Sequence, residues 1–234
     1  MVRRNLASLI LVLAVCLGAA PPPVFDKNPP GTIVQDVVGY LSGEGMNSAW
    51  RIVVSRQMVG RQMGKDPAYQ YYISFYAPAS RGYRLAYQLP NGSGVLLSRV
   101  RKAHGAQLYF PYQSVHIVGT GEFEQSGVQD VVIASKEFAA DCGTADVTVF
   151  GADSHLNVEQ RVHVSNSCQL QAAIVGSGDR NSVRLTGPYY NSTAAMCCPT
   201  KPRAYATLAY KHGAWQVNPN YYIISASLAA HHPQ

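Results

Sequence analysis

Charge is scarce in this chain. Only 14% of its 234 residues are Asp, Glu, Lys or Arg, too few to dress the solvent faces of a helical bundle or a coiled coil. The balance is mildly basic, 19 Lys and Arg against 13 Asp and Glu. Arg3 and Arg4 lie at the very start, and the remainder are spread along the chain. The longest local cluster is Arg99 to Lys102 with His104 beside it. No concentrated basic stripe exists, which argues against a nucleic-acid partner. No apolar run reaches the length of a comfortable membrane span. The Gly-x-Ser-x-Gly elbow of serine hydrolases is missing. Cysteines are few, and none sits in the tight paired knuckles of a zinc site.

What the chain has instead begins with a leader. Arg3 and Arg4 precede the apolar stretch Leu6 to Leu17, and the small residues Gly18, Ala19 and Ala20 follow. That order predicts a signal peptide over residues 1–19, cut before Ala20 because prolines 21–23 disfavour a later cut. Leu13-Ala14-Val15-Cys16 also resembles a lipobox, which leaves lipidation at Cys16 open. Membrane contact is expected only through the leader or a lipid anchor. The predicted location is secreted, periplasmic or cell-surface. Residues 20–32 are Pro-rich and read as an extended tether. Residues 226–234 read as a loose tail.

The body, residues 33–225, reads as a single β domain. The 15 tyrosines and abundant Val, Ser and Gly favour sheet. Tyr71 to Tyr76 and Tyr83 to Leu89 flank a turn, as do Ala145 to Phe150 and Asn157 to Val164. Leu85, Tyr87 and Leu89 are expected on one face, with Arg84 and Gln88 opposite. Val158, Val162 and Val164 are expected inward, with Glu159, Arg161 and His163 outward. Three Gly-rich loops recur, near Gly43 to Gly45, Gly119 to Gly127 and Gly176 to Asp179, each between two short strands. The predicted units are about 33–108, 109–172 and 173–225, built of antiparallel hairpins and meanders, propeller-like or sandwich-like. Ser55 to Pro67 reads as a long loop or a short irregular helix ended by the proline.

Beyond the leader lie Cys142, Cys168, Cys197 and Cys198. An even number in an exported chain predicts a disulfide-stapled domain. Adjacent cysteines rarely bridge each other, so the favoured pairing sends Cys142 and Cys168 each to one of Cys197 and Cys198. A Cys142–Cys168 bridge is the alternative.

The middle loop, Glu122-Phe123-Glu124 through Gly127 to Asp130 and the strand Val131 to Ile133, resembles the FG-GAP or VCBS-like repeat of β-propellers. That resemblance implies a calcium-binding acidic loop. Ser126 and Gln125 depart from the pattern, however, and the three acids left are few for a calcium ion. No cofactor is expected. The tail, with Cys197-Cys198-Pro199-Thr200 ahead of a closing hairpin, resembles that of uncharacterised exported bacterial proteins with a Cys-Cys-Pro-Ser/Thr motif.

Candidate binding residues are those the Gly-rich loops bring to a shared rim, Glu44, Glu122, Glu124, Asp130 and Asp179, joined by His116, Tyr109 and Tyr112. Tyr69, Tyr71, Tyr72 and Tyr76 are further candidates, set against a role in sheet packing. The expected function is an exported or envelope-associated β scaffold that binds a protein or glycan at the cell surface. The alternative is a secreted glycoside or cell-wall hydrolase using paired carboxylates on those loops.

Overall fold

The computed structural model describes residues 23–42, 49–61, 67–89, 101–103, 106–108, 112–124, 126–137, 144–153, 155–167, 169–176, 181–191 and 199–226. Among the described residues every regular element is a β-strand, and no helix is long and apolar enough to cross a membrane. The first sheet is a meander of β1 (Thr32–Gly39), β2 (Trp50–Arg61), β3 (Pro67–Ala79) and β4 (Gly82–Leu89). A small ribbon of β5 (Arg101–Ala103) and β6 (Ala106–Leu108) follows. The middle sheet runs through β7 (Tyr112–Gly121), β8 (Asp130–Glu137), β9 (Thr144–Ala152) and β10 (Val158–Ser167). The third is a meander of β11 (Gln171–Val175), β12 (Ser182–Tyr189), β13 (Lys201–Lys211) and β14 (Ala214–Asn218). The chain then returns to lay β15 (Ile223–Ala226) beside β10, completing the middle sheet as its fifth strand.

Two apolar cores hold the sheets together, one on each face of the middle sheet. Val131 and Ile133 of β8 pack with Ile52, Val54, Ile73 and Phe75 of the first sheet. Their neighbours Val132 and Ala134 pack with Val183, Leu185 and Leu208 of the third. The unbroken run Val131-Val132-Ile133-Ala134 is thereby explained, since a strand covered on both faces has no polar phase. β9 is buried from Ala145 through Ala152 for the same reason. Gln35 fastens β1 to the edge of β7, its amide donating to the Ile117 carbonyl and accepting from the Ile117 N–H, both at 2.7 Å. The Pro-rich segment is seated too: Val24 and Asp26 bond the backbone of Tyr83, and the Phe25 ring lies 4.4 Å from that of Tyr76.

The expected mainly-β fold of antiparallel hairpins and meanders is present, and the disulfide-stapled and propeller-like parts of the expectation are corrected. The architecture is three antiparallel sheets joined by packing, and among the described residues no disulfide contributes to it. Cys142, Cys168, Cys197 and Cys198 lie outside the described residues. Among the described residues, buried Val, Ile, Leu and aromatic side chains supply the cohesion.

Ser55 to Arg61 is not loop or helix but the continuation of β2, paired with β3 as far as Pro67 with one bulge between Met58 and Gly60. The guanidinium of Arg56 lies 4.4 Å over the Tyr69 ring, a cross-strand contact that favours the extended form. Two strand faces also depart from simple alternation. A bulge pairs Leu85 with Tyr76, and the first core takes Tyr87 and Leu89 without it. A second bulge, between Gln160 and Val162, sends Val158 to the first core and Val162 and Val164 to the second. Gln88, expected outward, is buried and donates to Ser74 Oγ at 2.9 Å.

Candidate binding site at the acidic loop

The loop between β7 and β8 turns at Gly127, whose φ of +73° suits glycine. Glu122 closes it by accepting the Gly127 N–H at 2.6 Å. Phe123 is buried in the second core against Trp215 of β14, ring centroids 5.6 Å apart. That anchor carries the next residue with it: Trp215 Nε1 donates to Glu124 Oε1 at 3.2 Å. Tyr210 of β13 meets the indole edge-on at 5.8 Å. Burial, and then the Glu124 charge, raise the Tyr210 hydroxyl above its ordinary pKa.

Asp130 opens β8 beneath this loop and is buried. Its pKa is pushed up to about 8, first by burial and then by the Glu124 charge; Arg161 opposes the shift and Glu122 adds to it. Arg161 is aimed there by the β10 bulge, which turns its side chain from the solvent face expected of it. Its Nε stands 4.0 Å from Asp130 Oδ1. Its Nη1 donates to Glu159 at 2.9 Å and its Nη2 to the Ala152 carbonyl at 3.3 Å. Gly151 makes the room, since a Cβ there would come within 2.3 Å of Asp130 Oδ1 and 2.7 Å of Arg161 Nε.

Beside the loop is a pocket of about 340 Å³ lined by Phe123, Glu124, Tyr210, Lys211, His212 and Gly213. Its far wall is the two-residue turn of the β13–β14 hairpin. Both turn residues have positive φ, His212 at +52° and Gly213 at +77°, as a tight type I′ turn demands. The pocket thus offers the Phe123 ring and the Glu124 carboxylate from the loop, and the Tyr210 ring, the Lys211 ammonium and the His212 imidazole from the hairpin.

The calcium implied by the resemblance does not fit this loop. Glu122 and Glu124 each bond an internal donor, while Asp130 is buried and holds its proton to about pH 8. A calcium ion needs several free anionic oxygens turned toward one point. Among the described residues no three His, Cys, Asp or Glu side chains are grouped to hold a metal ion.

The remaining candidates that the structure describes are dispersed. Glu44, Asp179 and Tyr109 lie outside the described residues, as does Cys16. Tyr112 begins β7 opposite Glu137, at the other end of the strand from the acidic loop. His116 stands exposed in mid-β7, on the face opposite Val115 and Ile117. Tyr71 and Tyr76 are buried in the first sheet, and Tyr69 and Tyr72 are half-buried, so these rings serve packing.

A second polar cluster crosses β9 and β10. Ser165 Oγ donates to Asp146 Oδ1 at 2.6 Å and lies 2.8 Å from His163 Nε2, while Thr148 Oγ1 lies 3.0 Å from His163 Nδ1. Burial raises the Asp146 pKa, against the pull of Ser165 and His163. In an acyl-transfer triad the carboxylate holds the imidazole Nδ1. Here a threonine takes that place and the carboxylate takes the serine proton, so the cluster ties two strands together.

Sequence reasoning missed Tyr210, Lys211 and His212 as a pocket wall, and Trp215 as the residue that holds Glu124. The available signal was the short turn His212-Gly213 between two alternating strands. Arg161 was missed because a bulge leaves no mark in the residue pattern. Comparison of the chain with known family models, curated proteins and solved structures finds no match.

Proposed function

We propose that this chain is an exported β-scaffold binding protein whose pocket, between the acidic loop and the β13–β14 turn, takes a sugar unit of a cell-surface glycan. The observation that carries the reading is the pairing of Glu124, held in place by the Trp215 indole, with the Tyr210 ring in one pocket wall. An aromatic face beside a fixed acceptor is what a sugar ring needs, for its C–H face and its hydroxyls respectively. Lys211 and His212 add donors across the gap.

Calorimetric titration against a panel of neutral cell-surface oligosaccharides tests it. At least one should bind, and Glu124→Gln, which keeps an acceptor for Trp215 but removes the charge, should weaken it roughly tenfold. No binding across the panel, or binding indifferent to Glu124 and Lys211, overturns the reading. The leader carries the export half of the proposal. Mass spectrometry of the mature N-terminus then separates a cut before Ala20 from a diacylated Cys16.

The hydrolase reading draws on a different observation, a buried Asp130 whose pKa is raised by burial and by the Glu124 charge beside it. It ranks second because Asp130 is buried and is not among the residues that line the pocket. Release of reducing ends from cell-wall polysaccharide by the wild type, lost in Asp130→Asn, would reverse that ranking.

A further inference from the structure

After Asp179 the chain contains no further acid, yet it carries Arg180, Arg184, Lys201, Arg203 and Lys211. The third sheet is built within this stretch from β12 onward, and β11 contributes no acid either. Its inner face carries Val183, Leu185, Ala206 and Leu208 into the second core. Strand alternation puts the residues between them on the outer face, and there Arg184, Arg203, Tyr205, Thr207 and Lys211 are exposed.

These side chains form a row. Arg203, Thr207 and Lys211 fall four residues apart along β13, a spacing of about 14 Å. Arg184 stands directly across from Thr207 on β12. The face therefore presents a cation at about 14 Å intervals along one strand direction. Tyr205 lies between the first two, 51% exposed, with the Arg203 guanidinium 5.3 Å from its ring centre. No carboxylate among the described residues forms an ion pair with Arg184, Arg203 or Lys211. A solvated sheet face is ordinarily dressed with both signs, and a single sign over a flat, strand-built surface is suited to a partner of opposite charge.

We propose that the outer face of the third sheet binds an anionic polysaccharide laid along β13, its acidic groups on Arg203, Arg184 and Lys211 and a sugar ring stacked on Tyr205. A linear polymer matches a linear row, and Arg offers planar paired donors to carboxylate or sulfate. The exposed tyrosine favours a sugar chain over a bare anion, because its ring has an apolar face to cover. This surface meets the pocket only at Lys211, which borders both; Arg184, Arg203 and Tyr205 lie outside the pocket, and the proposal stands on them without it.

The test is binding of the full chain to immobilised polygalacturonate across a sodium chloride series, with dextran as the neutral probe. Polygalacturonate should bind, more weakly as salt rises, and dextran should not be held by this face. Arg184→Ser with Arg203→Ser should weaken polygalacturonate binding roughly tenfold or more. Tyr205→Ala should weaken it at all salt concentrations. Arg81→Ser with Arg84→Ser removes the same charge from exposed positions on the first sheet and should change it less than about twofold. Equal losses in the two double variants would mean attraction by net charge alone and would overturn the proposal. Tighter binding to vesicles of anionic phospholipid, or to duplex DNA, would also overturn it. Neutral oligosaccharide binding sensitive to Glu124 reports on the pocket separately, so each reading can fail without the other.

Discussion

Asp130 is a carboxyl group kept neutral by its surroundings. In the unfolded chain it ionises near 3.8, and in the folded chain not until about 8. Between those values the folded protein holds one more proton than the unfolded one, so this group's contribution to stability declines as pH rises from about 4 to about 8 and is level beyond. Ionising it at pH 8 costs the fold on the order of a few kcal/mol. Asp130→Asn cannot ionise and nearly preserves the shape of the neutral acid. Thermal melts of the variant should show a higher Tm than wild type at pH 8 and little difference at pH 4. A Tm lowered equally at both would mean that the charged form is the one the fold needs. The sequence made Asp130 visible as the closing acid of a loop. It did not show the cation that faces it, because Arg161 sits two strands away and is turned inward by a bulge.

Hairpins were the legible elements. Strand β9 and the start of β10 were apparent from Val and Thr runs bounded by Gly, Asp and Asn, and the β3–β4 turn from Pro78 to Gly82. Bulges were not, since they depend on how one strand meets another; Leu85 and Arg161 were assigned to the wrong faces for that reason alone. Pairing length escaped as well. The two glycines and spaced methionines of Ser55 to Gly64 carry no strand signature, and β2 reaches Arg61 because Tyr69 and Tyr71 give it a partner. Contacts between elements were least visible of all. Gln35 looks like any polar strand residue, yet its amide does for β7 what a neighbouring strand would do, satisfying one N–H and one C=O. Gln35→Ala leaves both without that partner and should cost about 2 kcal/mol, read as a lower urea midpoint at unchanged m-value. A midpoint within error of wild type would show that the cores alone set how β1 meets β7.

At the scale of the molecule, the middle sheet is the shared wall of both cores, and the outer sheets do not share one. That hierarchy could be read only in part: Val131 to Ile133 was legible as a strand, but not that both its faces are covered, and nothing in the residues of β15 says that it belongs to the middle sheet rather than the third. Ile223 and Ile224 continue directly from the third meander, and their pairing with Ser165 and Val164 spans nearly sixty positions. Ending the chain after Tyr222 would leave the β10 edge uncovered. The truncated protein should elute partly as oligomers on size exclusion and melt several degrees lower; an unchanged monomer with unchanged Tm would show that β15 is dispensable. The placement of β15 also sets an order of events. A chain that emerges from a ribosome or a translocation pore N-terminus first can assemble its first sheet early. Its central sheet must wait with one edge open until Ile223–Ala226 has emerged, so the middle sheet is completed only after the third has been made.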